Sequence, residues 1–128
     1  MFEQDYLLRM LMDFAAAIRR SIERAGGQQD PSGAASMLEE AIGSAVDIDG
    51  GVLLSLSPES IASILEVSGT DPHVTEYVAR SLLLASDYHA QAGEAELAEL
   101  RRGQALAVAE AYGHDLSEAF DFEADIKL

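Results

Sequence analysis

Residues 77–112 read YVARSLLLASDYHAQAGEAELAELRRGQALAVAEAY, and the placing of small residues in this stretch decides the fold. Ser86, Gly93, Ala98 and Ala105 stand at offsets of seven, five and seven. On two helices folded back at Gly93, those offsets put small side chains where the helices touch beside the bend, so the two axes can come close. The stretch therefore predicts an antiparallel helix pair. What it carries is packing information, with no chemical signature.

Outward from the hairpin, each of the three prolines follows a residue suited to capping a helix: Asp30-Pro31, Ser57-Pro58 and Asp71-Pro72. Proline at the first helical position loses no hydrogen bond, while the preceding oxygen accepts from an orphan N–H. These are three helix starts, and Glu59 and Glu76 near two of them suit the positive end of the helix dipole. Glycines at Gly26-Gly27, Gly69, Gly93 and Gly113 supply stops, since glycine enters the left-handed conformation that ends a helix. With the apolar spacing, these signals predict helices over 3–25, 31–46, 58–67, 72–92 and 94–112. The apolar run Val52-Leu53-Leu54-Ser55-Leu56 has no second strand to pair with, so it is read as a short helix or a buried connector. Residues 115–128 set Phe120, Phe122 and Ile126 among five acids. This acidic tail is expected to add a helical turn or dock loosely, with a disordered end. The fold class is accordingly all-α, with five to six helices in one domain over 1–114.

The first helix is unusual. Tyr6, Leu7, Leu8, Met10, Leu11, Phe14, Ala17, Ile18, Ile22 and Ala25 cover an arc of about 200°, twice the stripe of a helix that covers one side of a core. It needs apolar neighbours on two sides. Either it lies centrally among the other helices, or part of its face is a dimer contact, to which Leu8 and Met12 point.

Composition narrows the function classes. The 128 residues suffice for one core and are short for two. No cysteine is present, which excludes disulfides, thiolate nucleophiles and cysteine metal sites. The acidic, polar opening after Met1 is unlike a signal peptide, and no apolar run approaches the length of a spanning helix, so a cytoplasmic protein is expected. The net charge of −15 is unevenly spread. Arg9, Arg19, Arg20 and Arg24 balance Glu3, Asp5, Asp13 and Glu23 in the first 25 residues, and the remainder carries the whole excess. Such a surface repels phosphate, so neither nucleic-acid binding nor anionic-membrane docking is expected, and a basic protein partner is favoured.

Leu84 to Gly93, followed by Glu94 to Leu106, resembles a tetratricopeptide (TPR) repeat, in which a small residue in the first helix, a glycine at the bend and two alanines in the second recur at these spacings. Ser86, Gly93, Ala98, Ala105 and Leu106 match that pattern. Arg102 departs from the large apolar residue before the second alanine, the first-helix aromatic is displaced to Tyr88, and no proline closes the repeat. Ala34 and Ala41 repeat the spacing of Ala98 and Ala105, which suggests a degenerate second pair made by the first two helices. The chain as a whole is similar to a bacterial family of small uncharacterised TPR-like proteins, on its opening Met1 to Met10 and on Leu53 to Glu59. The resemblance implies a right-handed array of antiparallel helix pairs and assigns no activity.

Motifs for chemistry are weak. Asp47-Ile48-Asp49-Gly50 has the start of a calcium loop, but the twelfth position falls on Pro58 where a bidentate Glu is required. His73, His89 and His114 lack the spacing that lets two imidazoles hold one metal; a part-buried His89, bonded between helices near Asp87 or Glu94, is expected. No phosphate loop or activated serine is present, so no enzyme, cofactor or metal is expected. Arg101 shares a helix face with Leu97, Gln104 and Val108. With Arg102 it either anchors a partner carboxylate or pairs internally with one of the many acids. The function expected is a protein-interaction or self-assembling helical-repeat module, possible as a homodimer. The alternative is a small-molecule or peptide binder with a pocket between helix 1 and the 72–112 hairpin, lined by Tyr77, Tyr88 and Tyr112.

Overall fold

The computed structural model describes residues 2–118, with side chains from residue 5 onward. The chain forms α1 (Phe2–Gly26), α2 (Pro31–Val46), α3 (Gly50–Leu53), α4 (Pro58–Val67), α5 (Pro72–Gln91) and α6 (Ala95–Tyr112), with no strand among the described residues. The helix ends fall within one residue of the expected ones, because the signals that set them are local. Asp30 accepts from the Gly33 N–H at 3.0 Å, Ser57 from Ser60 at 3.3 Å and Asp71 from His73 at 2.8 Å, each one position before its proline. The apolar run after Gly50 is part helix: Gly50–Leu53 forms one turn capped by Asp49, which accepts from the Val52 N–H at 3.1 Å, and Leu53 and Leu54 are buried.

One of the expected stops works differently. Gly69, Gly93 and Gly113 have positive φ and end α4, α5 and α6 as expected. After α1, however, the left-handed residue is Gln29 at φ 53°, where Gly26-Gly27 were expected to serve, and α2 ends on Asp47 at φ 56°. The space around Gly93 is open, with no atom within 4 Å of where a Cβ would lie, so its need for glycine is purely one of backbone conformation at φ 80°. Gly93→Val is therefore expected to cost about 1 kcal/mol or more, the penalty for a left-handed β-branched residue. A melting curve matching the parent's would contradict that account of the bend.

Helices α1 and α2 pack as one pair and α5 and α6 as another, with α2 seated against α5 and α4 against α6. The small residues do lie at the α5–α6 contact: Ser86, Ala98 and Ala105 are all buried, and the Ser86 hydroxyl donates to the Ala98 carbonyl at 2.7 Å. Close approach recurs between α2 and α3, where a Cβ on Gly43 would come within 3.0 Å of the Gly50 backbone. A side chain at 43 would require the Gly50 backbone to shift by a few tenths of an ångström. The buried apolar residues form one cluster drawn from all six helices, with Leu38, Ile42, Leu53, Ile61, Tyr77 and Leu82 at its centre.

Helix α1 is not central. It packs on α2 and, more lightly, on α5, burying Leu11, Phe14, Ala15, Ala17 and Ile18. Tyr6 remains 67 % exposed, Met12 52 % and Ile22 54 %, so the wide apolar arc is only partly covered. Beyond α6, Arg80 on α5 ties down the start of the acidic tail by donating to the Glu118 carbonyl and the Asp115 carbonyl, each at 2.8 Å. The rest of the 115–128 tail, from residue 119, lies outside the described residues.

Candidate functional site

The α3 turn leaves its following carbonyls without helical partners, and a polar network built from distant segments satisfies them. Arg101 on α6 donates to the Leu54 carbonyl at 2.7 Å, and Gln104, one turn along, donates to the carbonyls of Leu54 at 3.0 Å and Leu56 at 2.9 Å. Arg101 Nε also donates to Glu39 of α2 at 2.7 Å. The same Glu39 oxygen lies 2.8 Å from His89 Nε2 of α5, while His89 Nδ1 lies 2.9 Å from Glu94. Each ring nitrogen of His89 thus lies within hydrogen-bond distance of one carboxylate. Four segments are thereby joined by side chains that are mostly inaccessible: Arg101 is 7 % exposed, His89 4 % and Gln104 fully buried.

This network floors a groove of about 910 Å³ bounded by α2, α3 and the first turns of α6. Its rim carries the carboxylates of Glu40, Asp47 and Asp49, and Leu97 and Leu100 line its α6 side. Leu97 is 38 % exposed and Glu40 exposed. The one arginine in the lining, Arg101, already has its charge engaged by Glu39. Any approaching group thus meets several exposed carboxylates over an apolar shelf. A second groove, of about 480 Å³, runs between α1 and α2 past Tyr6, Met10 and Met37, and is lined by Arg9, Asp13, Arg20 and Glu40, the last shared with the first groove.

The seven residues nominated from the sequence do not form one site. Arg101 is buried, and its Nε and Nη1 donate within the chain to Glu39, the Leu54 carbonyl and Gln104. Arg102 is exposed on α6. Tyr77 is fully buried and meets Phe14 edge-on, with ring centroids 5.6 Å apart, so the seam between α1 and the 72–112 hairpin is filled at that point by rings. Tyr88 is 5 % exposed and hydrogen-bonds with Ser21. Tyr112 is half-buried and stacks on His114. Tyr77 and Tyr88 belong to the core, and Tyr112 packs partly buried against it. Leu8 and Met12 are half-buried and exposed, respectively, on α1. Glu39 and the α3 rim were missed. Their one sequence signal is the pair of glycines at 50 and 51, which marks a tight turn without showing that α6 passes beside it.

Burial raises the Tyr88 phenol above its ordinary value near 10, an effect that outweighs its hydrogen bond with Ser21. Below that value the phenol is neutral in both folded and unfolded chains. As pH rises past 10 the unfolded chain ionises first, so stability is lost in that range. Denaturation midpoints measured from pH 8 to 11 are expected to fall above 10, and less steeply in Tyr88→Phe; parallel curves would contradict this.

Among the described residues, no group of three or more His, Cys, Asp or Glu side chains is placed to hold a metal ion, and no helix is long and apolar enough to cross a membrane. No model of a known family matches this chain, and neither a curated protein nor a solved structure matches it at a significant level.

Proposed function

We propose that this chain is a non-enzymatic, TPR-like helical module that binds a protein segment, and that the groove between α2, α3 and α6 receives a basic amphipathic helix. The carrying observation is the lining of that groove: carboxylates of Glu40, Asp47 and Asp49 around exposed Leu97, with the only lining arginine already paired. An amphipathic helix laid there sets its apolar stripe on Leu97 and Leu100 and its lysines or arginines on the rim. The chain's net charge of −15 draws such a segment in and repels acidic competitors.

The pairs α1/α2 and α5/α6, joined through α2 and α5, support the TPR-like reading, with α3 and α4 inserted between them. In this reading the right-handed array offers its groove to an extended partner, and the module works in the cytoplasm, where a cysteine-free chain needs no oxidising compartment.

Fluorescence anisotropy with a labelled synthetic helix of alternating Leu and Lys faces tests the proposal. Binding is expected to weaken with salt, to disappear when Glu replaces Lys in the peptide, and to fall about tenfold in Leu97→Gln or Glu40→Lys, since each removes roughly 1.4 kcal/mol of contact. Equal binding of both peptides, or binding indifferent to both substitutions, would sink it.

A further inference from the structure

The outer face of α1 carries a pattern that the groove does not use. Asp5, Leu8, Met12, Ala16 and Arg19 fall within an arc of about 80° on that helix, with Asp5, Met12 and Arg19 exposed and Leu8 and Ala16 half-buried. The pattern is symmetric in position and opposite in charge. Leu8 and Ala16 stand four residues on either side of Met12, and Asp5 and Arg19 seven on either side.

We propose that two copies of this chain associate through their α1 helices, antiparallel about a two-fold axis at Met12. That arrangement sets Met12 against Met12 of the second copy, each Leu8 against the other's Ala16, and each Asp5 against the other's Arg19. A two-fold contact must be self-complementary, and this stripe meets the condition at all five positions: large against small, acid against base, and a pliable methionine on the axis. Arg19 already has an interaction within its own chain, and its five N–H donors accommodate a further carboxylate.

Charge selects a second copy over other occupants. The first 25 residues are neutral while the remainder carries the full −15, so two copies can meet here without bringing acidic surfaces together. A strongly basic partner has no reason to choose this neutral face, and an acidic one meets Asp5, Asp13 and Glu23. Among the described residues, packing leaves the face open as well, since α2 and α5 take the inner side of α1. A contact of two helices over about four turns is small, which places the dimer at the weak, roughly micromolar end of specific association. The proposal is independent of the groove and stands or falls separately.

Because the chain has no cysteine, single cysteines report the geometry directly. Met12→Cys is expected to oxidise to a disulfide-linked dimer at least tenfold faster than Ile22→Cys, which is equally exposed but whose copies lie about 30 Å apart along the paired helices. Equilibrium sedimentation of the parent chain from 1 µM to 1 mM, values chosen to bracket the roughly micromolar range expected of so small an interface, should show a concentration-dependent dimer. Asp5→Arg sets two cations opposite each other and should weaken that dimer about tenfold; adding Arg19→Asp should restore it to within about threefold. Equal cross-linking rates, a parent chain monomeric throughout, or a double variant no tighter than the single one would each overturn the proposal.

Discussion

Arg101→Ala should lower stability by about 3 kcal/mol, the lower part of the range for breaking a buried ion pair, and in a chain of this length the melting temperature should fall by roughly 10 °C. The guanidinium is 7 % exposed and serves the Glu39 carboxylate, the Leu54 carbonyl and the Gln104 amide oxygen together. Without it, Glu39 keeps His89 beside it in the interior, while the Leu54 carbonyl retains Gln104, which holds the cost to the lower end. A methionine of similar volume should fare little better, because the loss lies in the uncompensated carboxylate more than in the packing. Glu39→Gln in the same chain should recover part of the loss, and the double-mutant cycle gives the coupling. If Arg101 instead served a partner, its removal would leave the melting curve unchanged and act on binding alone.

Tyr77→Ala should cost about 3 to 5 kcal/mol, the usual range for deleting a large aromatic from a well-packed core. The ring has no exposed surface and meets Phe14 at an interplanar angle of 65°, an edge-on contact that contributes beyond area alone. It joins α1 to α5, and α1 has few other contacts there. Loss of the ring should therefore loosen α1 in particular, with faster amide exchange over its central turns. Urea denaturation gives the total, and Tyr77→Phe, which keeps the ring, should lose less than half as much. A small loss in Tyr77→Ala would mean that the side chain faces an accessible pocket, as the sequence alone had suggested.

Both residues show which part of the structure the sequence makes legible. Helix starts at Pro31, Pro58 and Pro72 are read within one residue, because a cap and a proline act on neighbouring N–H groups. The hairpin bend at Gly93 is read for the same reason: seven- and five-residue spacings are local geometry. The fate of Arg101 is different, since its partner Glu39 is 62 residues away and its carbonyl partner 47. Periodicity places Arg101 on the inward face of α6 and is silent on which acid waits there. The tyrosines mislead in a related way. An aromatic with a polar tip suits a pocket and a core equally well, and only the seating of α1 on α5 separates the two for Tyr77. The groove beside Arg101 was legible only on its α6 side, because it belongs to no single segment: α2, α3 and α6 each contribute one wall. The wide apolar arc of α1, by contrast, was visible as an excess, and the structure shows α1 covered on its inner side, with Tyr6, Met12 and Ile22 left exposed.

The central claim is that a basic amphipathic helix occupies the groove floored by Glu39 and Arg101. Amide chemical-shift mapping of the isotopically labelled chain during titration with the Leu/Lys helix tests it most directly. The account predicts that the largest changes fall on Ser44, Gly50, Gly51, Leu97 and Leu100, with α1 beyond its α2 contact unaffected, and that added salt reverses them. Changes centred on Tyr6, Met10 and Met37, or none at saturating peptide, would contradict it.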